Sequence, residues 1–265
     1  METDRVLAAK YLPGLMLDRR EPFSIGAVGY TVFRETKRSD SFPGRIIRTD
    51  WDKIRYVIEY AVWFDYDIQH LYELEHVWVY VDHRGEAVWA EGSFHGKYLN
   101  QVRLADGAPA LDAEGRITVW MQPGKHAVLP DPSLVRLVPE WRESCSVHAG
   151  ADGLAVPEAF RGRIPRPDEA VQERICSYIR KKYAFEPSME FIRAEIEEGC
   201  LMPWEKLKES IPGRLELELE KMGVLELLQR NAEGRDRNGG GNPHMQEWKA
   251  GQEPYKPEAA GRPYR

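Results

Sequence analysis

Between residues 65 and 76 the chain reads Asp65-Tyr-Asp67-Ile-Gln-His70-Leu-Tyr-Glu73-Leu-Glu75-His76, and it continues into the β-prone run Val77-Trp-Val-Tyr-Val81. Strand side chains alternate between faces, so Glu73 and Glu75 share one face, which Val77, Val79 and Val81 continue inward. Two carboxylates leading into an apolar sheet face are costly unless something positive lies between them. A divalent metal is the simplest such group. The expected ligands are His70, Glu73 and Glu75, with Asp65 or Asp67 folding back from the preceding loop. An oxygen-rich set with one imidazole suits Mg²⁺, Mn²⁺ or Ca²⁺, and also zinc or non-haem iron. The competing reading is a solvated acidic loop ahead of a strand.

Two further segments carry histidines. In Gly92-Ser-Phe-His95-Gly96, Ser93 and His95 are two apart and would share a strand face, and Gly96 permits close backbone approach. In Gln122-Pro-Gly-Lys-His126, the imidazole sits in a turn just past a strand, where sites tend to be built. His95 or His126 would serve as a general base or bond a metal-bound water. Taken alone, His95 is better read as an ordinary structural histidine, and His126 carries only a weak signal. Lys125 and Arg45 read as surface cations, and His76, on the face opposite Glu75 beside Trp78, reads as structural.

These groups need a sheet to hold them. Residues 28–33, 55–64, 75–81, 86–91 and 116–121 read as strands, and His83-Arg-Gly-Glu86 as a hairpin turn. Both faces of 55–64 are mostly apolar, which predicts a central strand buried on both sides. The composition of short strands with Gly/Pro turns predicts an antiparallel β-sandwich, jelly-roll-like, over residues 1–164. From Asp168, a plausible N-cap, the pattern turns helical, with Val171, Ile175, Tyr178 and Ile179 on one stripe. Pro187–Glu198 is expected to be a second helix stopped by Gly199, and Pro203 to start a third. Leu215–Met222 alternates like a strand but is built of good helix formers and is read as helix, with Gly223 as a breaker. The helical segment spans 165–229, and the Gly-, Pro- and charge-rich residues 230–265, with Trp248 and Tyr255, read as a disordered tail. The fold class is therefore α+β.

Composition narrows the function. A net charge of −6 with no Lys/Arg run argues against nucleic acid. Three cysteines at irregular spacing argue against a disulfide framework and fit a reducing compartment. No apolar run is long enough to span a bilayer, and the first residues lack a secretory pattern, so a cytoplasmic location is expected.

In combination, Glu73-Leu-Glu75-His76-Val77, Ser93-Phe-His95-Gly96 and Gly124-Lys-His126-Ala127 resemble the vacuolar protein sorting-associated protein 62 family. They are more distantly similar to the necrosis-inducing cytolysins. Tyr11-Leu-Pro13 to Leu17-Asp18 and Glu21-Pro-Phe23 resemble the first family's opening segment. The resemblance covers roughly residues 10–135. It implies a β-sandwich with a divalent-metal site at one end, held by His70, Glu73 and Glu75, with Asp65 or Asp67 matching an upstream Asp ligand in type. The cytolysin Gly, Arg, second His and Trp are replaced here by Gln69, Leu71, Tyr72 and Leu74, and toxin activity is not carried over. Three functions follow as expectations. The first is a metal-dependent hydrolase. The second is a sugar or lipid head-group binding module, with Trp63, Tyr66, Tyr72 and Trp89 lining the ligand. The third is an interaction protein using the helical half, whose apolar stripes could pack on a second copy.

Overall fold

A computed structural model describes residues 2–154 and 166–229. The boundary expected at 164/165 and the expected disordered tail 230–265 lie outside the described residues.

The chain runs α1 (Asp4–Lys10), β1 (Gly14–Asp18), β2 (Ala27–Phe33), β3 (Lys37–Arg38), β4 (Ile46–Ile47), β5 (Ile54–Tyr66), β6 (Leu71–Asp82), β7 (Ala87–Phe94), β8 (Lys97–Asn100), β9 (Thr118–Met121) and β10 (Val128–Leu129). Then follow α2 (Trp141–Cys145), α3 (Glu169–Tyr183), β11 (Phe191–Arg193), β12 (Leu201–Pro203) and α4 (Trp204–Lys221). One sheet has the order β12-β2-β5-β6-β7-β8, a second β10-β9-β1-β11, and β3 pairs with β4. The fold is α+β, as expected. The expected antiparallel pattern is broken twice, because β12 runs parallel to β2 and β9 parallel to β1. Long crossovers permit this: α4 follows β12 directly and packs across β2 through Trp204 and Leu207, against which Gly29 leaves room.

The alternation in β5 has the predicted consequence. Ile58, Tyr60, Val62 and Phe64 join the main core with Val77, Val79 and Val81 of β6. Val57 faces a smaller cluster with Phe33, Trp78 and Tyr80 on the other side. Leu15 and Leu17 of β1, Val119 and Met121 of β9, and Val128 of β10 enter the same main core, so both sheets close over it. The turn after β6 is the predicted one: Gly85 has φ +83°, and the Gly85 N–H donates to the Asp82 carbonyl.

Asp168 caps α3 by accepting from the Val171 N–H at 2.8 Å. The α3 stripe Val171, Ile175 and Ile179 and the α4 stripe Leu207, Ile211, Leu215 and Leu219 are buried within the chain. These residues are therefore covered within the chain itself. The third helix and the Leu215–Met222 segment merge into one helix that continues through Pro212.

The helix expected over 187–198 is a correction. Asp18, far away in the chain, accepts from the Ser188 N–H, the Ser188 hydroxyl and the Met189 N–H. Met189 adopts φ +59°, and Phe191–Arg193 adds antiparallel to β1 instead. A carboxylate that fixes two backbone donors and a hydroxyl in a non-helical arrangement outweighs helix propensity. Arg45 is a second correction. Its guanidinium is buried between the Trp78 and Tyr98 rings, 3.6 and 3.9 Å from their centroids, and pairs with Glu91.

His76 is structural, as read. Its ring stacks on Trp78 and its Nε2 lies 3.1 Å from the Ser41 hydroxyl, which donates to buried Glu59. Burial, aided by the nearby Arg45 charge, pushes the His76 pKa down to about 3. Below about pH 6.5 the unfolded chain takes up a proton that the folded chain refuses, so stability falls as pH drops toward 3, by up to about 1.4 kcal/mol per unit. We expect the urea midpoint to fall from about pH 7 to about pH 5, and to fall less in His76→Gln. Equal pH slopes in the two proteins would contradict this.

Candidate metal centre

The β5–β6 connection builds the centre. The Asp67 N–H donates to the His70 carbonyl, and the Gln69 N–H donates to Asp67 Oδ1 at 2.7 Å, closing a tight polar turn. Antiparallel pairing then sets Glu73 opposite Phe64 and Glu75 opposite Val62. Asp67, His70 and Glu73 are thereby brought together, with one ligand atom from each lying within 4.8 Å of the others. His70 Nε2 is 3.8 Å from Asp67 Oδ1 and 3.7 Å from Glu73 Oε2. Asp67 is 0% exposed, while the His70 and Glu73 side chains are each 22% exposed. The acids are thus not a solvated loop. Asp67 Oδ2 is buried without a hydrogen-bond partner among the described residues.

The turn at residues 122–126 docks onto this hairpin. The Ile68 N–H donates to the Gly124 carbonyl at 2.8 Å, and the Gly124 N–H donates to Glu21 Oε2 at 2.8 Å. Lys125 is not a surface cation. Its side chain is 13% exposed, and its ammonium donates to Asp67 Oδ1 at 2.8 Å. Burial alone would push the Asp67 carboxyl up, but the neighbouring His70, Lys125 and His126 outweigh it and hold it below the usual carboxylate range. Burial pulls the Lys125 amine down, and Asp67, Glu73 and Asp152 outweigh it and hold it up.

The other predicted residues go elsewhere. Asp65 points to the opposite face of β5, accepts from Trp63 Nε1 at 2.7 Å and lies 3.7 Å from Arg214, outside the Asp67–His70–Glu73 group. Glu75 shares the Glu73 face but is buried and accepts from the Ser93 hydroxyl. Burial, reinforced by Glu73, pushes its carboxyl well above the usual range, which favours the uncharged acid. His95 leaves the strand: it adopts φ +46° in the turn after β7, exposed, with Nε2 3.0 Å from Gln122 Oε1. His126 is sealed, 0% exposed and stacked on Phe64 at 3.7 Å. Its Nε2 is 3.5 Å from Glu21 Oε1, a residue with no role in the sequence reading beyond its place in Glu21-Pro-Phe23. Of the aromatic candidates, Trp63 and Tyr66 are buried and Trp89 packs in the smaller cluster. Tyr72 is half-buried, stacked on Trp63, with its ring 6.3 Å from that of His70.

The three sequence segments therefore meet at one end of the six-stranded sheet. Ser93 ties to Glu75, His95 to Gln122, and Lys125 to Asp67. No helix among the described residues is long and apolar enough to cross a membrane. Comparison with protein-family models, curated proteins and solved structures gave no match.

Proposed function

We propose that the protein binds a divalent cation, Mg²⁺, Mn²⁺ or Ca²⁺, through Asp67, His70 and Glu73, and that the ion polarises an oxygen of a bound small molecule or head group. One observation carries this: two carboxylates and one imidazole converge within 4.8 Å, one of them a fully buried aspartate with an oxygen that has no hydrogen-bond partner among the described residues. An orphaned buried carboxylate oxygen is costly, and a bound cation would relieve that cost. The donor set also admits zinc or iron. Hydrolysis is the reaction that such an ion supports with the fewest further groups. The meeting of the three segments supports the relationship to the vacuolar protein sorting-associated protein 62 family, and the two sheets sharing one core are read as the layers of its sandwich.

A second reading, a binding module without turnover, is favoured by the histidines. His126 is fully buried against Phe64, and the Nε2 of His95 is engaged by Gln122, so neither stands as an open base in this arrangement. Elemental analysis and Mn²⁺ titration of the wild type beside His70→Ala/Glu73→Ala test the site. Both side chains are partly exposed, so the fold should survive. We expect near-stoichiometric metal in the wild type and at least about tenfold weaker binding in the variant, with matching circular dichroism. No metal in the wild type, or equal affinity in both, would overturn the site. Product formed from a bound ester or glycoside would assign the hydrolase, and ligand bound without product the module.

A further inference from the structure

We propose that the site takes a small oxyanion together with the divalent ion, and that Lys125 is the residue that links the two. This rests on the ion site proposed above and adds the class of ligand. The Lys125 ammonium already occupies the neighbourhood an ion would enter, 2.8 Å from Asp67 Oδ1 and under the influence of Glu73. Its side chain is only 13% exposed, and the backbone that carries it is held in place. Its turn is pinned by the Ile68–Gly124 and Gly124–Glu21 hydrogen bonds and by the His126 N–H donating to the Gln122 carbonyl at 2.8 Å. Packing adds to this, since a Cβ on Gly124 would lie 2.9 Å from Ile68.

An arriving ion therefore meets a tethered cation rather than an empty cradle. Asp67 Oδ1 already accepts from both Lys125 and the Gln69 N–H, and Glu75 is engaged by Ser93. Asp152, the other acid acting on Lys125, is exposed and screened by solvent. Two adjacent cations in a partly buried site repel each other, and an anion touching both relieves that repulsion. The open side, where His70 and Glu73 are 22% exposed, gives such a ligand access. Its chemistry is that of a phosphate or carboxylate group, with a metal on one oxygen and an ammonium on another.

Calorimetric Mg²⁺ titrations, without and with inorganic phosphate, test this on the wild type and Lys125→Met. We expect phosphate to tighten Mg²⁺ binding to the wild type about tenfold, and Lys125→Met to bind Mg²⁺ about tenfold more tightly without phosphate and to ignore phosphate. Mg²⁺ binding to the wild type that is indifferent to phosphate would overturn the oxyanion and leave the ion site standing. Mg²⁺ bound by neither protein would overturn both. The wild-type comparison needs no variant, so misfolding of Lys125→Met leaves the test intact. A parallel titration with phosphatidylcholine vesicles containing phosphatidic acid separates the sources. A response to vesicles as well as to phosphate assigns a lipid head group, and a response to phosphate alone assigns a free small molecule.

Discussion

Gly150→Ala is expected to unseat α3 and to destabilise the chain by about 4 kcal/mol or more, the range reached when packing and backbone geometry fail together. Gly150 has φ +68°, a conformation that costs an L-residue about 1–2 kcal/mol. The larger effect is steric. A Cβ there would lie 2.1 Å from the Cys176 carbonyl oxygen and 3.1 Å from the Arg180 amide nitrogen, both backbone atoms of α3. Neither can yield as a flexible side chain would, because Val171, Ile175 and Ile179 anchor the helix in the main core. The same loop supports the candidate metal centre: the Gly150 N–H donates to the Ile68 carbonyl, and the Leu71 N–H to the Gly153 carbonyl, both at 2.7 Å. Gln172 of α3 also exchanges two hydrogen bonds with the Leu154 backbone. Urea denaturation followed by tryptophan fluorescence, with limited proteolysis, reads the effect. A wild-type midpoint in Gly150→Ala would contradict the packing of α3 on this loop.

Asp67→Ala carries the second large effect. It strands the Lys125 ammonium in a buried position, and breaking a buried pair from one side costs about 3–5 kcal/mol. Replacing both partners removes the stranded charge. Asp67→Ala/Lys125→Met is therefore expected to be more stable than Asp67→Ala, with a coupling energy of at least about 2 kcal/mol. Additive losses in chemical denaturation would mean that the pair carries no coupling. Mg²⁺ binding should be lost in Asp67→Ala and in the double variant alike.

Local pattern carried much of the architecture to the page. The doubly apolar alternation of β5, the Gly85 turn, the Asp168 cap and the α3 stripe each depend on residues within a few positions of one another. What could not be read depends on partners far along the chain. Asp18 holds Ser188 and Met189 out of a helix across 170 and 171 positions, and no twelve-residue window shows that competition. Lys125 is buried only because the 122–126 turn folds onto Asp67, 58 positions away. Arg45 likewise reaches Glu91 across 46 positions. In the centre itself, the acidic run identified the hairpin, but not which acids would converge. Strand alternation turns Asp65 to Trp63 and Arg214, and Ser93 claims Glu75. Glu21 gave no local signal beyond standing before Pro22-Phe23, and its contacts with Gly124 and His126 cross about a hundred positions.

The central claim is that Asp67, His70 and Glu73 hold the ion, and pulsed electron paramagnetic resonance of bound Mn²⁺ tests it most directly. One imidazole ligand should give ¹⁴N modulation in the wild type. That modulation should vanish in His70→Gln and persist in His126→Gln, whose ring is sealed against Phe64. Bound Mn²⁺ without nitrogen modulation in the wild type, or modulation that survives loss of His70, would place the ion somewhere other than this hairpin.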